Sequence, residues 1–191
     1  MGFGQKSAIH NEPQFESERI VTTRGNVANY FWQTIIAMLF VWLVMIGFDL
    51  VQASQHMWVV GVATIATSTV YVFAMPNTTP AHPLRILVGY LLGLVIGIAM
   101  QYAFAVMTSQ SSGEVGNSYH HLFEVGGFLA FGLTLIIMMA IRSEHPPAAA
   151  LALLLVLEYK DFPSISIIVL AAILLALLRF LFGRTLKDLI W

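Results

Sequence analysis

Apolar residues run almost unbroken through six stretches of this chain, near 30–50, 57–75, 86–107, 121–141, 146–157 and 163–182, with short polar segments between them. Four of the stretches reach the roughly 20 residues that a helix needs to cross a bilayer, and the second falls only slightly short. The fifth holds 12 residues between His145 and Glu158. It reads as a span whose ends are lined by protein, or as a re-entrant half-helix. No period-2 alternation marks membrane strands. Unpaired backbone groups are costly in lipid, so the pattern predicts an all-α polytopic helical membrane bundle of six transmembrane segments, the fifth short.

Charge tests that count. With six crossings, one side collects Lys6, Arg19, Arg24, Arg85, Arg142, Arg179, Arg184 and Lys187, and the other holds Lys160 alone. That asymmetry places both termini in the cytoplasm, whereas a re-entrant fifth segment would send Arg179, Arg184 and Lys187 outside. Tyr159 and Phe162 suit the outer interface, and Tyr30, Trp32 and Trp58 also suit interfacial positions. The expected organisation is a cytoplasmic N-terminal tail over 1–28, a transmembrane domain over 29–185 and a short C-terminal tail over 186–191. The 108–121 connection is read as a solvated loop.

Composition agrees with a lipid solvent. Charged residues are 10% of the 191 and hydrophobic ones 58%, with a mean hydropathy of +0.80, against about 25% charged residues in soluble domains. A formal net charge of −1 without a basic block excludes a nucleic-acid partner. There is no cysteine, hence neither a disulfide nor a thiolate metal site. No metalloprotease signature, nucleophile elbow or phosphate-cradling glycine loop is present. Ser143, Glu144 and His145 are consecutive, so they splay apart and cannot form a triad. The chain is expected not to be an enzyme, with no catalytic residues, no cofactor and no metal.

Two polar brinks carry the candidate chemistry. Met75–Gly93 and Ile141–Leu157 each place a His-Pro pair at the start of an apolar helix, His82-Pro83 and His145-Pro146-Pro147. Proline lacks an N–H and holds a helical φ, so it belongs in a first turn, and it forces the residue before it out of the α region. The free amides that follow, with the positive end of the helix dipole, favour an anion. Arg85 and Arg142 add full charge beside the two starts, and His82 and His145 add donors that can gain a proton. The two pairs are separated by two spans and face the same side, as a repeat of helical hairpins would place them. In the competing reading, His-Pro only caps a helix at headgroup level and the arginines anchor to lipid phosphates.

His145-Pro146-Pro147, followed by alanines and a leucine-rich run, resembles the motif that names the HPP family of integral membrane proteins. Pro80-Ala81-His82-Pro83-Leu84-Arg85 resembles a second pattern of that family, a proline-bracketed loop with an arginine leading into a glycine-containing helix. The resemblance covers about residues 30–185. In the family pattern Gly-Gly-His follows the arginine, where this chain has Val88-Gly89-Tyr90, so no role for a histidine carries over there. The resemblance implies membrane transport, with nitrite transport in cyanobacterial and plastid relatives, and it carries over His145, Pro146, Pro147 and Arg85.

Other constellations are read beside these. Gly89, Gly93 and Gly97 form a small-residue ridge that serves close helix packing, inside the bundle or in a homo-oligomer. Thr64, Thr67, Ser68 and Tyr71 form a polar stripe running toward the Asn77-Thr78-Thr79 loop, either bonding their own helix or meeting a permeating anion. Glu124, with His120 and His121 four and three residues before it, is a candidate for proton coupling, and a solvated interfacial cluster is the plainer reading. The combined expectation is a small-anion transporter or channel, nitrite first among substrates, in a bacterial inner membrane. Arg142, His145, Pro146, Pro147, His82, Pro83, Arg85, Thr79 and Ser68 form its anion site. The alternative is a non-transporting interaction or structural protein in the same bilayer.

Overall fold

The computed structural model describes the backbone of residues 12–109, 118–157 and 162–189, with side chains from residue 27 onward except 109 and 118–120. Lys160, Tyr159, the centre of the 108–121 loop and the chain before Glu12 lie outside the described residues. Six helices follow in order: α1 Glu12–Leu50, α2 Gln55–Ala74, α3 Pro83–Ser109, α4 Ser118–Ala140, α5 Pro146–Leu157 and α6 Phe162–Phe182. A 3-10 turn, Thr79–Ala81, stands between α2 and α3. All of them except α5 contain a segment long and apolar enough to cross a membrane. The first helix runs unbroken from Glu12, so part of the segment expected as a tail continues the first span.

The helix ends follow from local chemistry. Ser54 caps α2 by accepting from the Met57 amide at 3.3 Å. His82 precedes Pro83 with φ −70° and ψ 131°, the extended conformation that a following proline imposes. Helix α4 ends in a Schellman motif. The Ser143 amide donates to the Met138 carbonyl at 2.9 Å and the Arg142 amide to the Met139 carbonyl at 3.1 Å, with Arg142 at φ 55°. The same device closes α1, where Gln52 has φ 51°.

One end of the bundle collects most of the described basic residues. The Tyr30 hydroxyl donates to the Leu189 carbonyl at 2.8 Å, and the Leu189 amide donates to the Ala74 carbonyl at 2.8 Å. Arg179 Nη2 donates to the Pro76 carbonyl at 2.7 Å. These contacts bring the start of the first span, the α2–α3 loop and the C-terminal segment to one level, here called the basic end. Buried Gln33 joins the first span to the last turn of α2 and to the C-terminal segment. Its Nε2 donates to the carbonyls of Phe73 and Lys187, and its Oε1 accepts from the Lys187 amide at 3.2 Å.

Helix α5 is the axis of the fold, packed by α2, α3 and α4. Residues on every side of it are buried, from Pro147 to Val156. Its 12 residues rise only about 18 Å, against about 30 Å for a bilayer core. The α3 ridge makes the close approach possible. A Cβ on Gly89 would stand 2.7 Å from His145 Cβ, one on Gly93 would collide with the Ala148 carbonyl oxygen, and one on Gly97 would meet the Ala152 oxygen at 2.9 Å. Of the two readings of the ridge, the structure shows packing inside the bundle: Gly89, Gly93 and Gly97 all lie against the start of α5 and its first turns. Dispersion and backbone approach hold such helices together in lipid, where the hydrophobic effect gives no drive to associate.

Candidate functional site

The residue before α5 occupies the centre of a polar seam between α2, α3 and α5. His145 is fully buried. Its Nδ1 lies 3.1 Å from the Pro80 carbonyl oxygen and its Nε2 lies 2.9 Å from Ser68 Oγ. Ser68 Oγ lies 2.8 Å from the Tyr90 hydroxyl, which also reaches the Thr64 carbonyl at 3.1 Å. The rings of Tyr90 and His145 are 5.4 Å apart.

Hydrogen counting orders this chain. A carbonyl can only accept, so Nδ1 carries the proton and donates to Pro80. Among the described residues no carboxylate approaches the ring, and an unpaired buried imidazolium is costly, so Nε2 is the acceptor of a neutral ring. Ser68 therefore donates its one proton to His145, so Tyr90 is the donor across its 2.8 Å contact with Ser68, and the Thr64 carbonyl, 3.1 Å from both hydroxyls, is the more distant acceptor. One directed run of hydrogen bonds ties α3 to α2, α2 to α5, and α5 to the Thr79–Ala81 turn.

Depth is the second property of the site. Ser68 stands six residues before the end of α2 and Tyr90 seven residues after the start of α3. At 1.5 Å per residue, the start of α5 lies about 9–10 Å inside the bundle from its basic end. Ala148 donates its amide to the His145 carbonyl at 3.0 Å, so the positive end of the α5 dipole points into this recess. Ser143 also lies in the descending loop, 7% exposed, with an Oγ that is buried without a hydrogen-bond partner. Such a group is costly to bury unless a ligand or water satisfies it.

The expected anion site is thus divided. The structure brings His145, Ser68 and buried Pro147 together, with the Pro80 carbonyl. It does not bring His82 to them: that side chain is exposed and lines a cleft with Pro83, Arg179 and Arg184. The two His-Pro starts lie at the same end of the fold, yet one ring turns inward and the other outward. Arg85 is half-buried, while Arg142, Pro146 and Thr79 are exposed. Within the α2 stripe Thr64 and Ser68 face inward and Thr67 faces out; the Thr64 and Thr67 hydroxyls donate to carbonyls of their own helix. Glu124 also faces outward, paired with His121 at 2.9 Å. It contributes nothing to the seam.

Three participants escaped the reading of the sequence. Tyr90 stands where the family pattern has a histidine, and its hydroxyl is the group that reaches Ser68. Ser143 and Arg179 give weaker signals, a hydroxyl two residues before His-Pro and an arginine inside an apolar run.

Comparison with known proteins agrees with the fold. A transmembrane protein of Dictyostelium discoideum is 27% identical over 121 residues, 61% of this chain and 38% of that protein. The chain thus spans well under half the length of that relative. No solved structure matches. The profile described as HPP, transmembrane region, matches residues 22–189. With the His145-Pro146-Pro147 start buried at its axis, this chain belongs to the HPP transmembrane family.

Proposed function

We propose that this protein moves a small anion across a membrane, nitrite being the first substrate to test, and that the recessed start of α5 is the station the anion visits. The observation that carries the reading is the depth of that helix start, with the unsatisfied Ser143 hydroxyl beside it. Broken or half-length helices whose positive ends sit within the membrane are a recurring way of holding anionic groups in transporters. The donors here are hydroxyls and a neutral imidazole, which suits brief binding, since conduction requires the ion to leave. Arg142 and Arg85 supply attraction toward the recess from the basic end. His145 is enclosed in this arrangement, so entry requires the Thr79–Ala81 turn to part from it. The bacterial inner membrane is the setting that this reading assigns.

A second reading has its own support. Both nitrogens of His145 are bonded and the ring is fully buried, as expected of a latch that fixes the fold and binds nothing.

Nitrite entry into proteoliposomes separates the two. Under the transport reading, protein-containing vesicles take up nitrite faster than empty ones. Ser143→Ala then slows uptake several-fold while thermal stability stays level or rises, because an unpartnered buried hydroxyl costs about 1–3 kcal/mol. Uptake no faster than in empty vesicles, from protein that unfolds cooperatively, would leave the latch.

A further inference from the structure

Beside the start of α3, at the basic end, a cleft of about 550 Å³ runs between the first turn of α3 and the last turn of α6. Its polar lining is two guanidinium groups, Arg179 and Arg184, and the His82 imidazole. Arg179 is pinned: Nη2 is bonded to the Pro76 carbonyl, and Nη1 lies over Gly183, where a Cβ would approach it to 2.7 Å. Its Nε is buried without a partner. Asp188 is near enough to offset part of the Arg179 charge, although its two oxygens accept from the Asn77 amide at 3.1 Å and Asn77 Nδ2 at 2.6 Å. Arg184 and His82 are exposed and, among the described residues, have no ion-pair partner. The same cleft is walled by Leu84 and Phe180, 65% and 75% exposed.

Guanidinium groups and bare apolar side chains in one cleft, at the level where spans end, match the two parts of one kind of molecule. We propose that this cleft binds an anionic phospholipid, its phosphodiester held by Arg184, Arg179 and His82 and its acyl chains lying along Phe180 and Leu84. Guanidinium groups present paired donors that suit phosphate oxygens. Basic pockets between membrane helices hold lipid headgroups by this chemistry. A free anion would use the cations alone and leave the apolar wall bare. The proposal does not depend on the transport reading, because the cleft lies apart from His145 and uses none of the seam.

The experiment is lipid retention by the whole chain in nanodiscs of mixed phosphatidylglycerol and phosphatidylcholine, released into detergent and weighed by native mass spectrometry. Retained lipid should favour phosphatidylglycerol about tenfold, a difference of about 1.4 kcal/mol. The double variant Arg184→Gln with His82→Gln should lose most of that preference while unfolding at the same temperature. A photoactivatable phosphatidylglycerol on the unaltered protein should mark peptides containing 82–84 and 180–184, whether or not the variant folds. Equal retention of the two lipids, or labelling elsewhere, overturns the proposal. Displacement of the lipid by millimolar inorganic phosphate also overturns it, and assigns the cleft to free anions.

Discussion

Arg142 holds a left-handed backbone at φ 55° in the loop that leads down to His145. Glycine is the usual occupant of that position in a Schellman motif, and a residue with a Cβ costs about 1–2 kcal/mol there. Two influences favour the arginine: a cation beside the negative end of the α4 dipole and, in the proposed function, attraction of an anion. They separate by substitution. Arg142→Gly should raise stability in detergent by about 0.5–1 kcal/mol, because relief of backbone strain exceeds the loss of an exposed charge. Arg142→Ala keeps the strain and loses the charge, so it should be neutral or worse. Thermal unfolding of the three proteins measures both. If the glycine variant is no more stable and nitrite uptake is unchanged, neither account of Arg142 survives.

At the scale of elements, the α3–α5 contact decides which substitutions the fold tolerates. A methyl at Gly93 would clash with the Ala148 carbonyl oxygen, so two helix backbones would have to separate. Gly93→Ala is expected to cost about 1–3 kcal/mol, as overpacking does. Gly132, on α4, has nothing within 4 Å of an added Cβ. Gly132→Ala should leave stability unchanged or raise it by up to about 1 kcal/mol through helix propensity. Unfolding midpoints of the two variants give the comparison, and equal losses would place the α3–α5 approach elsewhere. The helices and their ends were legible in the sequence because proline, apolar length and polar gaps are local signals: Pro83 and Pro146 start α3 and α5 as expected. Rotation about each helix axis was not. Helix α3 is apolar almost all round, so nothing local says that Gly93 faces α5 while Leu91 faces outward. For the same reason His82 and His145, alike in local sequence, gave no sign that one ring turns into the core and the other into a cleft with Arg179, about a hundred residues away in the chain.

Across the whole molecule, the same end that carries the cations also carries the closures. Residues 186–189 return over α1 and α2, with Leu186 buried and the Leu189 amide on the Ala74 carbonyl. The loop before α3 meets the C-terminal segment through Asn77 and Asp188, and it meets the start of α5 through Pro80 and His145. A short α5 is compatible with this only if α6 begins on the far side, at Phe162, so that its last turn brings Arg179 back to Pro76. The chain has no cysteine, so single cysteines report sidedness without background. Thr79→Cys, Glu144→Cys and Arg184→Cys, all exposed at the basic end, should react with an impermeant maleimide from one and the same face of the membrane. That face should be the cytoplasmic one, because cytoplasmic segments retain the excess of arginine and lysine. Gln52→Cys, exposed where α1 ends, should react only from the opposite face. Labelling of Arg184→Cys together with Gln52→Cys would mean that α5 turns back within the membrane. The contact between Arg179 and Pro76 could not then exist, and the cleft between α3 and α6 would be lost with it.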